Sequence, residues 1–295
     1  MTGSRHPGSD QAAGPIVLDG VARAGDLRRR LNEDAARLSA GGRPPALAVV
    51  AVGDDPSARS YLRGIERAAG AAGVEHRVHR LPAEAGETDV VRLVDELAAD
   101  PEVHGIALQS PLPPGLDMAS VGARIPRVKD VDGANPESAG RLLVGLPAYA
   151  PATALAVLDL AHLGPRALPG ARAVVVGRSA VVGKPVAVLL LAEHATVTVC
   201  HSRTADLAAV TREADVLVVA AGRARFVTGS HVSPGTVVID VGINAGDGGI
   251  VGDVDYDAVA PVAAAITPVP GGVGPLTTTM LMSNTVAAAK ASASR

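Results

Sequence analysis

Short apolar runs alternate with amphipathic segments along the chain, a pattern that predicts an α/β fold with largely parallel sheets. Asp55 followed by Pro56 is typical of a helix N-cap and first helical position. The segment over 74–81 has few apolar positions, so it is the least regular of the predicted strands. The pattern of the first half predicts a βαβαβ unit with strands over 47–52, 74–81 and 105–109 and helices over 56–69 and 89–98.

A stretch rich in Pro and Gly, residues 134–151, is interpreted as the seam between two domains. The loop TPVPGGVGP, over 267–275, opens a last helix that begins at Leu276. Between this seam and the loop over 267–275, we predict a helix over 155–163 and strands over 173–176, 196–200, 216–220 and 236–241.

These boundaries predict two domains. The first spans 15–150 and is completed by the terminal helix over 276–295, and the second spans 151–275. No internal repeat is visible beyond the two α/β halves.

The segment AVVVGRSAVVGKP combines a buried strand, a glycine turn and the start of a helix. Gly177 and Gly183 would allow the backbone to approach a diphosphate, and the helix N-terminus would supply N–H groups and positive potential. The spacing is not GxGxxG, and a strand-to-helix turn that needs Gly for steric reasons alone explains it equally well.

The residues after the next strand favour a particular cofactor. His201, Ser202, Arg203 and Thr204 include no acid, whereas a carboxylate at this place normally binds the ribose of NAD. Arg178 and Arg203 could form charge-assisted hydrogen bonds to a 2′-phosphate. The alternative is a solvated loop with scattered arginines, but this chemistry favours NADP.

Composition narrows the classes of function. Near balance between 27 basic and 30 acidic residues, with no Trp and one Phe, argues against a nucleic-acid partner. Cys200 is the only cysteine, which excludes an internal disulfide and a cysteine-rich metal site and fits a cytoplasmic protein. The polar residues 1–14 are expected to form a tail, and no apolar run reaches the length of a membrane span, so we expect no membrane partner and no metal.

Eight motifs follow one another along the chain. They are VGDDPSARSYL (52–62), QSPLP (109–113), KDVDG (129–133), VVGRSAVVGKP (175–185), TVTVCHS (196–202), VIDVGIN (238–244), GDV (252–254) and TPVPGGVGP (267–275). In this order they resemble the bifunctional methylenetetrahydrofolate dehydrogenase/methenyltetrahydrofolate cyclohydrolase family, and the resemblance covers the chain from about Ile16 to its end. It implies an N-terminal three-layer α/β domain, a Rossmann-like NADP-binding domain, a final helix that returns to the first domain, and a homodimer.

The resemblance also implies roles for single residues. It places Tyr61, Gln109 and Asp132 at a tetrahydrofolate substrate, where Asp132 would accept hydrogen bonds from the pterin. Taken singly, Tyr61 could be core, Gln109 a strand-end polar group, and Asp132 a solvated turn residue. The remaining implied residues are Pro270, Gly271, Gly272 and Gly274 at the folate, and Gly177, Arg178, Ser179, Ser202 and Ile243 at the cofactor.

One departure falls on the catalytic machinery. The family places a lysine four residues after the tyrosine, on the same helix face, and this chain has Ile65 there. Arg63 lies on another face and cannot replace it without remodelling the helix. Hydride transfer from 5,10-methylene-tetrahydrofolate needs orientation, whereas hydrolysis of the methenyl product needs a positioned polar group. We therefore predict an NADP-dependent dehydrogenase whose cyclohydrolase activity is lost or weak.

Further departures lie on the substrate side. PATA, over 151–154, replaces the family's PCTP-like segment and keeps Thr153. Residues after DVDG also depart from the family: Ala134, Asn135, Glu137 and Ser138. A specialised paralogue with a modified folate or another C–N substrate is one alternative, and a non-catalytic NADP- or folate-binding homologue is another.

Overall fold

A computed structural model describes residues 14–246 and 248–294, so the predicted tail lies outside this part except for Gly14. The strands are β1 Ile16–Val17, β2 Ala46–Val52, β3 Glu75–Leu81, β4 Gly105–Leu108, β5 Arg172–Val176, β6 Thr196–Cys200, β7 Val216–Val219, β8 Val237–Asp240, β9 Asn244–Gly246, β10 Gly249–Val251 and β11 Ala265–Ile266. The helices are α1 Gly20–Ala40, α2 Pro56–Ala72, α3 Glu87–Ala99, α4 Met118–Gly122, α5 Pro136–Leu143, α6 Ala152–Leu163, α7 Gly183–Ala192, α8 Leu207–Thr211, α9 Tyr256–Val259 and α10 Val273–Ala293.

The first unit is a three-stranded parallel sheet in the order β3-β2-β4. Helices α2 and α10 cover one face through an apolar cluster that includes Leu47 and Leu281, and α3 covers the other through Val90 and Val94. This confirms the predicted three-layer βαβαβ unit. Strand β3 is polar because it lies at the edge and its residues alternate between exposed and partly buried.

The second unit is a six-stranded parallel sheet in the order β1-β11-β8-β7-β5-β6. Its central strands are almost entirely apolar, as expected for a sheet covered on both faces. One face packs against α6 and α7, and the other against α8 and α9. This confirms the predicted Rossmann-like unit.

Helix α10 joins the two units. Its first residues, Val273 and Leu276, belong to the core of the large sheet, whereas Leu281, Met282 and Val286 belong to the core of the small one. The predicted return of the last helix to the first unit is confirmed.

Several elements escaped prediction. Helix α5 lies inside the stretch interpreted as a seam, and α1 was not predicted. The buried residues of α1 are Gly20, Ala24, Leu31 and Ala35. Three of these four are too small to give a strong apolar pattern. Strand β1 precedes α1 but pairs with β11 of the large sheet. The domain boundaries themselves stay a prediction.

Candidate active site

A cavity of about 690 Å³ opens between α1, α2, the β9–β10 hairpin and the loop that precedes α10. Val21 of α1 donates its N–H to Gly271 O at 3.1 Å, which fixes the loop against the first turn of that helix. The predicted residues that line this cavity are Tyr61, Ile243, Pro270, Gly271, Gly272 and Gly274.

Helix α2 presents one face to the cavity. Ser60, Tyr61, Gly64 and Arg67 recur at helical spacing and all line it. Ile65 is absent from the lining: its side chain is 0% exposed and packs in the apolar core of the small unit, against which Tyr61 also packs. A longer side chain at position 65 would therefore have to extend out of this core to reach the cavity.

The three charges of the KDVDG motif have separate tasks. Lys129 Nζ donates to Ala98 O at 2.8 Å and to Asp100 O at 2.6 Å, at the C-terminal end of α3. The Asp130 carboxylate is buried and accepts from the N–H groups of Ala134 and Asn135, which lead into α5. Lys129 and Asp130 are therefore not solvated turn residues.

Asp132 is half-buried and lies beside Tyr61. Its Oδ1 accepts the N–H of Ala152 at the start of α6, and Oδ2 has no partner among the described residues. Burial raises the pKa of the Asp132 carboxyl to about 6, and the charge of Asp130 adds to this effect. Burial also raises the pKa of the Tyr61 phenol, with a contribution from the negative charge of Asp132. Tyr61 and Asp132 thus lie close enough for their charges to interact, and both are poorly solvated.

Gln109 immediately follows β4 and is 6% exposed. Its backbone N–H donates to Val50 O at 2.9 Å. Neither Gln109 nor Asp132 lines the 690 Å³ cavity, so the structure leaves the place of Gln109 at the substrate a prediction.

The glycine turn after β5 has a strict steric requirement. Gly177 has φ +134°, and a Cβ there would lie 2.3 Å from Ala220 O. A Cβ at Gly183 would lie 2.2 Å from Gly177 O. Ser179 Oγ accepts from the N–H groups of Val182 and Gly183, which closes the turn onto α7.

The same turn offers donors to an anion. The backbone N–H groups of residues 178–181 form no hydrogen bond within the part of the chain that the structure describes. They lie at the N-terminus of α7, where the helix dipole favours negative charge. The turn thus combines close packing with backbone donors that have no partner among the described residues, so the steric and nucleotide interpretations are compatible and the nucleotide site stays a prediction.

Exposed polar groups follow β6. Ser202 and Arg203 are exposed, as are Arg178 and Ser179 across the turn. The nearest acid, Asp206, accepts the N–H of Ala209 and caps α8. The C-terminal ends of β5, β6 and β8 lie on one edge of the sheet, and these residues and Ile243 follow those ends. A doubly wound sheet has its ligand crevice at this edge.

Two buried carboxylates, missed in the sequence analysis, hold this edge together. Asp253 accepts from the N–H groups of Ala221, Gly222 and Arg223 at 2.6–2.9 Å and from Asn244 Nδ2 at 2.9 Å. Asp240 accepts from the N–H groups of Gly242, Asp253 and Val254. Both acids lie in quoted motifs, VIDVGIN and GDV, but Asp253 binds a loop about 30 residues before it, over 221–223, and Asp240 binds the GDV segment.

Among the described residues, no group of three or more His, Cys, Asp or Glu side chains could hold a metal ion. No helix in that part of the chain is long and apolar enough to cross a membrane.

Comparisons with known proteins agree with this architecture. Residues 18–132 match the family model for the tetrahydrofolate dehydrogenase/cyclohydrolase catalytic domain, and residues 151–293 match that for its NAD(P)-binding domain. The bifunctional protein FolD of a Parafrankia strain is 59% identical over 273 residues, which cover 92% of this chain and 98% of that protein.

Solved structures give the same result. The bifunctional FolD enzyme of Campylobacter jejuni superposes with a TM-score of 0.91 at 40% identity, covering 94% of this chain and 99% of that one. The Trypanosoma brucei dehydrogenase-cyclohydrolase, solved with NADP and an inhibitor, has a TM-score of 0.91 at 37% identity, covering 96% and 100%. The predicted cofactor, NADP, agrees with both the NAD(P)-binding domain and this complex. The two-unit α/β fold, the crevice at the edge of the large sheet and these matches show that the chain belongs to the tetrahydrofolate dehydrogenase/cyclohydrolase family.

Proposed function

We propose that this protein oxidises 5,10-methylene-tetrahydrofolate to the 5,10-methenyl form with NADP, and that its cyclohydrolase activity is lost or weak. The observation that carries the second part is Ile65. At the position of the family lysine the side chain is apolar, fully buried and without a donor or acceptor.

Asp132 and Tyr61 support folate binding. The unpartnered Oδ2 of Asp132 can accept hydrogen bonds from the amino and ring N–H groups of a pterin. Tyr61 offers an aromatic face beside it, and the Pro270–Gly274 loop closes the cavity. We also include Gln109, which directly follows β4, in the proposed substrate site.

The crevice fits an extended dinucleotide. Three strand intervals separate the end of β8, near Ile243, from the end of β6, near Arg203, a span of about 14 Å. Bound NADP supplies a nicotinamide ring that accepts hydride. Ile243 lines the proposed folate cavity and also follows β8, so the two reactants would meet and be oriented there, while the substrate nitrogens supply the electrons.

A 2′-phosphate explains the residues at the other end of this crevice. Arg178 and Arg203 are exposed, and Ser179 and Ser202 accompany them. Asp206, the first acid after β6 in the sequence, already caps α8 and so is not available to a ribose diol. These features favour NADP over NAD.

Hydrolysis needs a group that activates water and moves protons. Ile65 cannot do this. Arg67 lines the cavity but lies six residues beyond Tyr61, about 9 Å along the helix axis, so it is too far to act beside the Tyr61–Asp132 pair.

A two-arm spectrophotometric assay tests the proposal. One arm follows NADPH formation from 5,10-methylene-tetrahydrofolate, and the other follows loss of methenyl absorbance above the spontaneous rate. We expect NADPH formation without enhanced hydrolysis. Ile65→Lys should raise hydrolysis at least tenfold while destabilising the fold by about 2–4 kcal/mol, because an ammonium replaces a buried apolar group. Ile65→Met, a matched uncharged control, should leave hydrolysis unchanged.

Rapid hydrolysis by the unmodified protein would contradict the proposed loss. Absence of both activities with NADP still bound, measured by calorimetric titration, would favour a paralogue with a modified folate or another C–N substrate. Absence of NADP binding would favour a non-catalytic homologue.

We also propose a homodimer. Strand β6 is an edge strand of the large sheet, and Val199 on it and Leu191 near the end of α7 are exposed apolar side chains. Sedimentation equilibrium should give twice the chain mass, and a monomer at micromolar concentration would refute this.

A further inference from the structure

The wall of the 690 Å³ cavity is mostly apolar, with three ionisable groups apart from Tyr61: Arg28 of α1, Arg67 of α2 and Asp240. Asp240 is buried and accepts from three backbone N–H groups, so its carboxylate is already satisfied. The two arginines are therefore the charges that a ligand in this cavity meets.

Neither arginine has an acidic partner among the described residues. Arg28 Nε donates to Ala24 O at 3.0 Å, and Arg67 Nε donates to Arg63 O at 3.2 Å. Neither forms a salt bridge within the part of the chain that the structure describes.

Other arginines on the same two helices do form such pairs. Arg23 binds Asp159 through two 2.7 Å contacts, Arg29 and Arg37 pair with acids one turn away on α1, and Arg59 of α2 pairs with Asp54. Arg28 and Arg67 thus differ from these neighbours by facing the cavity without a carboxylate.

The position of the pair relative to the loop is defined by the helices. Arg28 lies seven residues beyond Val21, whose N–H contacts Gly271, and Arg67 lies six residues beyond Tyr61. At 1.5 Å per residue, Arg28 and Arg67 each lie about 10 Å along their helix from the end of the cavity formed by the loop and Tyr61. The cavity therefore suits a ligand with a flat ring at one end and an anion at the other.

A tetrahydrofolate has this form, because a benzoyl group joins its pterin to a glutamate with two carboxylates. We propose that Arg28 and Arg67 bind the carboxylates of this glutamyl tail, so that the tail and its length determine substrate affinity. Guanidinium groups match carboxylates through paired, charge-assisted hydrogen bonds. This inference rests on the proposed function and names the part of the substrate that these residues recognise.

A cycle of two variants and two substrates tests the inference. The variants are Arg28→Gln and Arg67→Gln, which keep a polar side chain and remove the charge. The substrates are 5,10-methylene-tetrahydrofolate and the corresponding tetrahydropteroate, which lacks the glutamate. For the folate, each variant should raise KM about five- to tenfold with little change in kcat. For the tetrahydropteroate, the wild type and the variants should have the same KM, because this substrate has no glutamyl carboxylate for the arginines to bind.

Controls on the same helices are Arg30→Gln and Arg63→Gln, which are exposed and do not line the cavity. They should leave both KM values unchanged. A triglutamyl substrate should bind wild type more tightly than the monoglutamyl form, and Arg28→Gln with Arg67→Gln should remove that preference.

Two results would overturn the inference, and they are distinguishable. If wild type turns over the folate but the variants raise KM equally for both substrates, or for neither, the arginines do not bind the tail and the proposed function stands. If wild type oxidises neither substrate, the proposed function fails and the inference fails with it.

Discussion

The glycine turn after β5 and the cavity between α1 and α2 hold their functional groups by different means. The turn is one continuous segment, and its shape depends on backbone contacts such as that of Gly177 with Ala220 O. The cavity is assembled from two helices, a hairpin and a loop that are far apart in sequence.

This difference explains which region tolerates change. Any side chain at Gly177 collides with backbone, so substitution there disturbs the C-terminal ends of β5 and β7. These ends belong to the edge of the large sheet where we propose that NADP binds, the cofactor edge. In the substrate region, Ile65, which we propose stands at the position of the family lysine, packs into the apolar core of the small unit. An activity that depends on one side chain can be lost there while the surrounding fold persists.

The largest expected effect is at the turn. Gly177→Ala should destabilise the protein by about 3–5 kcal/mol, because it combines an unfavourable φ with a contact of 2.3 Å to a backbone oxygen. Urea unfolding and calorimetric titration should show lower stability and loss of NADP binding.

Gly70→Ala is the matched control for that substitution. Gly70 lies within α2, and a Cβ there meets nothing within 4 Å. We expect a gain of about 0.5–1 kcal/mol from helix propensity, with NADP binding unchanged. Equal effects of the two substitutions would refute the steric account of the turn.

A smaller effect is expected at the carboxylate that ties the cofactor edge together. Asp253→Asn places an amide against three backbone N–H donors and should cost about 2–3 kcal/mol of stability. It should also raise the Kd for NADP, because the loop over 221–223 and Asn244 lose a common acceptor.

Asp255→Asn is a control of the same chemistry, since Asp255 caps only α9 through Ala258 N–H. It should cost less than about 1 kcal/mol and leave the Kd for NADP unchanged. If the two variants behave alike, Asp253 has no special positioning role.

The smallest predicted effect concerns pH and the substrate region. Burial raises the pKa of the Asp132 carboxyl to about 6, so the acceptor is ionised above that pH and becomes protonated below it. Calorimetric titration with folic acid, an unreactive ligand, should give a constant Kd above pH 7 and weaker binding as pH falls through 6. Asp132→Asn should bind weakly with a flat profile between pH 5 and 7.5. A flat profile in wild type would remove Asp132 from the proposed site.

The features that consist of residues adjacent in the sequence could be predicted from the sequence. Apolar runs predicted β2 and the central strands of the large sheet because those strands are buried on both faces. The glycine turn was predicted because its residues are adjacent in sequence. Helix α1 escaped because the residues that it buries are mostly small, and α5 escaped because its Pro- and Gly-containing surroundings are typical of a linker.

The sequence by itself determined the fold class, the family motifs and the absence of a lysine at position 65. Only the tertiary structure decided that Ile65 packs in the core and that Arg28 and Arg67 line one cavity. It also decided that Asp130 binds two backbone N–H groups, while Asp132 Oδ2 has no partner among the described residues. The physical reason is that local sterics and hydrophobic periodicity act between neighbours in the chain. The charge environment of a side chain depends instead on segments that meet only after folding.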